Sequence, residues 1–467
     1  MFRVDEGRAL EDEKHALSLL LSTAARDPVL IASLAKLVRR GSHLRPPTSS
    51  SLEDEKHVLP LLLSTAAGDP WKPYAVPRFE PFAAIRYATD DLASVVAPPY
   101  DVLSDADVDV LEAKSPHNVV RIDVPRGGGD RYELAAKTMR AWLNDGILAI
   151  DPEPGFTIYR MRFTDSTGVR RDIAGVLGGL EVVDQEAGGV LPHERTTAAA
   201  STDRLDLTRA TVANLSPVWG LSLSRGLTDL LAEPGEPWGE VTEQGVEHVL
   251  ELVTDPERIA AIREKLAADD VLIADGHHRY GISRTYRDEV REATGRTDTP
   301  AELTLAFVNE LIGEQLSVAA IHRLYADVDA AELADALARS FELMATERPS
   351  RETLAAMQQE GFLILVDRDA AWRMRPRPGR FDGVRPLDGG WLETALADVP
   401  LTVSYQHGLE ETLAEVDSGH ASAAVLIRPV SVAEIERTAR EGLLMPPKST
   451  FFTPKLKTGF VIRPLSE

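Results

Sequence analysis

The chain has no cysteine. That excludes disulfides, thiolate nucleophiles, thiolate zinc sites and iron–sulfur clusters together, and it fits a reducing compartment. Positive charge is in short supply: 51 Lys and Arg stand against 74 Asp and Glu, a formal net charge of −23. Such a chain has no general attraction for a phosphate backbone, so no nucleic acid partner is expected. Long apolar runs are missing too. The stretches 59–63 and 423–427 fall far short of the roughly 20 residues a membrane helix needs. No basic head, apolar core and small-residue cleavage site opens the sequence. No membrane association and a cytoplasmic location are the expectation.

What is present suits a folded protein. Hydrophobic residues make up 43% and charged residues 27% of 467 positions, enough for a core and room for two or three domains. Residues 1–76 stand apart. The segment 11–28 recurs at 53–70 with fifteen of eighteen positions identical, too few copies for a solenoid. This part is read as a poorly ordered extension without a catalytic role. The folded body is expected over 77–325, with a C-terminal α/β portion over 326–467.

Within the body, strands are expected at 79–87, 118–124, 218–223, 271–274, 303–310, 316–320 and 459–462, with a hairpin at 156–163 and 170–183. Helices are expected at 104–112, 132–144, 201–213, 256–268 and 280–294. Beyond 326, helices at 333–341, 392–397 and 432–442 alternate with strands at 361–366 and 423–427. The mixture predicts an α+β (mixed α/β) protein.

Polar residues with chemical potential fall in clusters. Asp275-Gly276-His277-His278-Arg279 follows a strand and opens a helix. Glycine permits a tight turn there, and the helix N-terminus presents free N–H groups to an anion. Arg279 adds a planar donor fork, and histidine side chains can donate, accept or pass on protons. Asp275 is a candidate to orient a histidine, hold magnesium or take a proton. His193-Glu194 supplies a candidate proton carrier and general base. In the following helix Arg204 and Thr208 share a face. Lys448-Ser449-Thr450, with Lys455 beyond it, offers phosphate-binding groups but lacks the glycine spacing of a P-loop. Tyr100 and Asp101 follow two prolines in a rigid turn, where they could face a substrate. No His-Glu-x-x-His or His-x-His spacing occurs, so structural zinc is not expected.

These residues also carry a resemblance. Ala97-Pro98-Pro99-Tyr100-Asp101-Val102, Pro192-His193-Glu194-Arg195-Thr196, Ala213-Asn214-Leu215-Ser216-Pro217, Asp275-Gly276-His277-His278-Arg279-Tyr280 and the segment 446–455 resemble, in that order, the bacterial family known as domain of unknown function 1015. The resemblance covers roughly residues 77 to 467 and implies no established activity. More remotely, Asp-Gly-His-x-Arg is similar to the phosphate-binding segment of the ParB/sulfiredoxin-like superfamily, which includes free-serine kinases. That similarity implies a ParB/sulfiredoxin-like core enlarged by insertions. It implies that Gly276, His277, His278 and Arg279 hold nucleotide phosphates. The sulfiredoxin branch itself needs a cysteine and is excluded.

The combined expectation is a nucleotide-dependent small-molecule kinase acting on free serine or a similar hydroxyl. Its cofactor would be ATP or ADP with Mg2+. Glu194, His193, Asp275 and His277 would serve catalysis. Gly276, His277, His278, Arg279, Lys448, Ser449 and Thr450 would hold the nucleotide, and Tyr100, Asp101 and Arg204 the substrate. Asp275 and Asp101 would hold the metal. A non-catalytic nucleotide- or ligand-binding regulatory module and a metal-dependent hydrolase are the alternatives, and a homo-oligomer is compatible with each.

Overall fold

Strand β8 (Val271–Asp275) shows how the first layer is built. Val271 and Ile273 pack to one side and Leu272 and Ala274 to the other, and all four are buried. A strand that is apolar on both faces belongs in the middle of a covered sheet. The computed structural model describes residues 76–165, 168–184, 187–192, 201–446 and 448–467; the duplicated N-terminal segment lies outside them. Residues Tyr74–Glu467 group as one compact unit.

The first sheet contains nine strands: β1 (Phe79–Glu80), β2 (Phe156–Thr164), β3 (Arg170–Glu181), β4 (Val190–Pro192), β5 (Val218–Ser222), β6 (Glu236–Glu243), β7 (Val246–Val253), β8 and β9 (Leu303–Glu310). Their order is β4-β8-β5-β9-β3-β2-β7-β6, with β1 on β3. β8 runs antiparallel to β5, whereas β9 and β5 are parallel. Glycines in β3 let the core close. A Cβ on Gly175 would stand 2.4 Å from the ring of Phe307, and one on Gly178 equally close to Phe79. Phe307 in turn meets Trp219 edge-on at 5.4 Å.

Five helices matter to this layer: α1 (Asp105–Lys114), α2 (Arg131–Asn144), α3 (Ser201–Thr211), α4 (Pro256–Leu266) and α5 (His277–Thr294). Ser104 and Asp107 form a capping box on α1. Asp255 caps α4, with Pro256 in its first turn. Ile262 and Leu266 of α4 and Tyr280 of α5 share a cluster with Val271 and Ile273. Leu272 and Ala274 share the opposite cluster with Met139 and Trp142 of α2.

A second sheet holds β10 (Ile321–Ala326), β11 (Phe341–Thr346), β12 (Leu363–Val366), β13 (Ala371–Pro376), β14 (Thr402–His407) and β15 (Ala423–Leu426), in the order β11-β13-β12-β15-β10-β14. The tail then returns to the first layer. Phe452 pairs with Val318, Ile462 bridges Ile85, and Arg463 pairs with Asn214.

The class is mixed α and β, as the alternation of patterns indicates. Several local expectations give way. Residues 118–124 hold a short helix, Val120–Asp123, not a strand. The Asn118 amide donates to the carbonyls of Ser94 and Val96 and accepts from the N–H of Val120. That tertiary network overrides the β preference of a Val-Val-Arg-Ile run. Residues 79–87 divide into two short strands around Pro81, which has no N–H for a ladder. Residues 459–462 make only an isolated bridge at Ile462. The expected helix at 333–341 ends at Ala338, and Phe341 begins β11. Beyond the expected strands there is a β6–β7 hairpin, and Gln244 and Gly245, at φ of 52° and 77°, give it the double left-handed turn of such hairpins.

Candidate functional site

Asp275 ends β8, Gly276 turns the chain at φ 85°, and α5 starts at His277 without a side-chain cap. The first-turn N–H groups of a helix lack intrahelical partners and sit at the positive end of its dipole. The Arg279 side chain folds back over this turn. A Cβ on Gly276 would lie 3.1 Å from its guanidinium carbon, so any side chain here is strained by the backbone angle and crowds the arginine.

Arg279 is held from three sides. One terminal nitrogen donates to the Pro217 carbonyl, and the other donates to Asp275 Oδ2 at 3.0 Å. Asp101 Oδ2 lies 3.6 Å from that second nitrogen. The Arg279 Nε is buried and has no hydrogen-bond partner among the described residues. Lys455 Nζ reaches the other oxygen of Asp275 at 3.4 Å and lies 4.3 Å from the centre of the Phe451 ring. His407 stacks on the same ring at 4.3 Å. Arg204, from α3, lays its guanidinium 4.0 Å from the centre of the Tyr100 ring and donates to the Asp123 carbonyl. Ser216 Oγ stands 3.4 Å from both oxygens of Asp123. Tyr100, Asp123, Arg204, Ser216 and Arg279 enclose a cavity of about 50 Å³, room for a few waters rather than a nucleoside.

The charges are tightly coupled. Burial pushes the Asp275 carboxyl up, but Lys455, Arg279 and His277 outweigh it and hold the pKa at about 2. Burial pulls Arg279 down, and Asp275, Asp101, Tyr100 and Asp123 more than restore it. Burial raises Asp123 despite Arg204 and Arg279, and raises the Tyr100 hydroxyl against Arg279.

Tyr100, Asp101, Arg204, Asp275, Gly276 and Arg279 therefore come together from distant stretches of sequence. His277 and His278 occupy the first two positions of α5. Lys448 is exposed at φ 56°, and its carbonyl accepts from Arg323 at 3.0 Å. Ser449 is buried and donates to the Pro446 carbonyl at 2.7 Å; Thr450 follows, half-buried. The lysine that meets Asp275 is Lys455, named in the sequence only as the far end of this cluster. Asp123 was missed because its segment reads as a strand. His193 and Glu194 lie outside the described residues. His322 sits in the second sheet, where Nδ1 accepts from the Ile427 N–H at 3.2 Å.

As a magnesium ligand Asp275 fits poorly, since each of its oxygens already meets a cation. Asp101 carries the more exposed carboxylate of the two, with one oxygen near the same arginine. Among the described residues no group of three His, Asp or Glu side chains could hold a metal ion, and no helix is long and apolar enough to cross a membrane.

A family model, described as protein of unknown function (DUF1015), matches residues 79–389. This chain belongs to the DUF1015 family. The match includes the Pro-Pro-Tyr-Asp turn and the Asp-Gly-His-His-Arg segment, and so bears out the family resemblance read from those motifs. No curated protein matches this DUF1015 chain. Among solved structures it is similar to a conserved hypothetical protein from Pyrococcus furiosus, at TM-score 0.34 and 12% identity, over 59% of this chain and 91% of that one. It is similar to a free serine kinase variant in complex with AMP, at TM-score 0.35 and 11% identity, over 62% and 93%. A C-terminally truncated SbnI from Staphylococcus aureus gives TM-score 0.34 and 12% identity, over 62% and 87%. At these scores the likenesses carry no weight for function.

Proposed function

We propose that this DUF1015 protein is a nucleotide-dependent phosphotransferase acting in the cytoplasm on a small hydroxyl-bearing molecule. One observation carries the reading. An uncapped helix N-terminus lies under a buried arginine with an unpartnered Nε, and a lysine stands across the shared aspartate. Backbone N–H groups, a planar fork and a point charge are what phosphate groups require. The 50 Å³ cavity is too small for a nucleoside, so the nucleotide engages from the open side of the turn. The resemblance of Asp-Gly-His-x-Arg to the phosphate-binding segment of free-serine kinases supports the same arrangement.

Phosphoryl transfer needs mainly positioning and charge neutralisation. The α5 N–H groups, Arg279 and Lys455 bind and neutralise the phosphates. Asp275 fixes both cations, and its low pKa suits an anchor better than a base. Asp101 would hold magnesium, which when bound shields the transferring group. The substrate oxygen forms a bond to phosphorus as the bond to the nucleotide's leaving oxygen breaks. Glu194 takes the hydroxyl proton.

Calorimetry with ATP, ADP and AMP, with and without magnesium, tests the reading. Saturable binding is expected, weakened at least about tenfold by Arg279→Met. Incubation with ATP or ADP and free serine should yield a phosphorylated product. Binding without any product across hydroxyl substrates would favour the regulatory module instead. Absence of binding by all three nucleotides would overturn the phosphotransferase reading and, with it, a nucleotide-binding module.

A further inference from the structure

A second cavity, of about 520 Å³, shares no lining residue with the first and lies where the 78–83 segment, the 298–303 loop and the C-terminal tail meet. Phe82, Ala83, Pro300, Leu303 and Pro464 give it apolar walls. Arg463, Thr299 and Arg78 also line it, together with the acidic Asp298, Glu302 and Glu467.

Arg463 is 4% exposed. Its guanidinium donates to the carbonyls of Leu303 and Pro300, both at 2.8 Å, and lies 5.6 Å from the centre of the Phe82 ring. Among the described residues it has no acidic partner. Its Nε and the hydroxyl of Thr299 are both buried without a hydrogen bond. The neighbouring acids are already engaged. Asp298 and Glu467 pair with Arg296, and Glu302 accepts from Arg291 Nε at 2.8 Å. Burial pulls the Arg463 pKa down to about 10, with no carboxylate to oppose it.

A buried cation hydrogen-bonded only to carbonyls is costly. Binding cavities characteristically combine apolar walls with a few polar anchors. We infer that this cavity binds a small molecule with an oxyanion, carboxylate or phosphate, at one end and an apolar body at the other. The oxyanion neutralises Arg463, while the body lies among Phe82, Ala83, Leu303 and Pro464. This inference is independent of the phosphotransferase reading.

Benzoate, phenyl phosphate and inorganic phosphate, titrated into the full chain by calorimetry, test it. Benzoate or phenyl phosphate is expected to saturate, and whichever binds more tightly identifies the oxyanion. Ala83→Phe fills the cavity and leaves Arg463 in place; it should weaken binding at least about tenfold with an unchanged circular dichroism spectrum. Arg463→Gln should weaken it similarly, and Arg279→Met should not. The inference is overturned if no probe saturates below about 10 mM. It is overturned equally if the affinity of the bound probe is unchanged by Ala83→Phe and Arg463→Gln.

Discussion

Lys455 Nζ stands 3.4 Å from Asp275 Oδ1, on the carboxylate whose other oxygen accepts from Arg279. One aspartate thus ties the C-terminal tail to the turn that opens α5. The tie depends on pH. The ordinary Asp275 pKa of 3.8 is lowered to about 2 in the folded protein. A depressed carboxyl pKa contributes stability that is complete above the unfolded value and is lost as pH falls from about 4 towards 2. At 1.36 kcal/mol per unit that contribution is roughly 2 kcal/mol. Lys455→Met removes the strongest of the favourable charges. The acid unfolding midpoint, followed by circular dichroism, should move to higher pH. Nucleotide affinity at pH 7 should fall about tenfold. An unchanged acid midpoint would show that Lys455 does not hold the carboxylate down.

Gly276→Ala strains the turn twice. The backbone is left-handed at φ 85°, and the new Cβ would lie 3.1 Å from the guanidinium of Arg279. The backbone term alone costs about 1–2 kcal/mol, and displacing Arg279 breaks its bonds to Pro217 and Asp275. Urea unfolding should show a loss of about 1–3 kcal/mol. Nucleotide binding should fall more than stability does, because the substitution moves the arginine that grips the phosphates.

How far the sequence shows this arrangement depends on the range of each signal. The turn at 275–279 is legible because its determinants are local: a buried strand, a glycine, a helix start. The β2–β3 hairpin is legible for the same reason. The short helix at Val120–Asp123 is not, because it depends on Asn118 bonding to Ser94 and Val96. The choice of Lys455 over Lys448 is hidden as well. Both stand in one polar loop, and only the return of the tail to the first layer, through Phe452 and Arg463, decides which meets Asp275.

Two buried histidines predict acid sensitivity well above the Asp275 window. His248, 1% exposed, shares a 2.7 Å hydrogen bond with the Tyr159 hydroxyl. His322, 3% exposed, accepts from the Ile427 N–H. Burial first, then nearby cations, lowers each from 6.5 to about 4. The unfolded chain binds these protons more readily. Stability is therefore complete above pH 6.5 and falls as pH drops towards 4, by up to roughly 3 kcal/mol per histidine. Urea midpoints measured from pH 7.5 to 4 should show this slope. His248→Asn and His322→Asn, although less stable at neutrality, should each flatten it, and an unaltered slope in both would place the titrating groups elsewhere.

Arg204 joins the Tyr100 turn to Asp123, and its planar head does two things at once. It lies 4.0 Å from the centre of the Tyr100 ring and donates to the Asp123 carbonyl, with one carboxylate oxygen of Asp123 at 3.4 Å. Lysine keeps the charge but has no plane to stack and no fork to share between partners. Arg204→Lys therefore leaves a buried carboxylate, already raised by burial, with a weaker counter-charge. A stability loss of about 1–3 kcal/mol follows from the unmet hydrogen bonds. The functional consequence separates substrate from nucleotide. Arg204 is not among the groups that grip the phosphates, so ADP affinity measured by calorimetry should change less than about threefold. The KM for the hydroxyl substrate should rise more than tenfold. The reverse pattern, with ADP affinity lost and KM preserved, would assign Arg204 to the nucleotide and leave Tyr100 and Asp101 without a substrate-binding role.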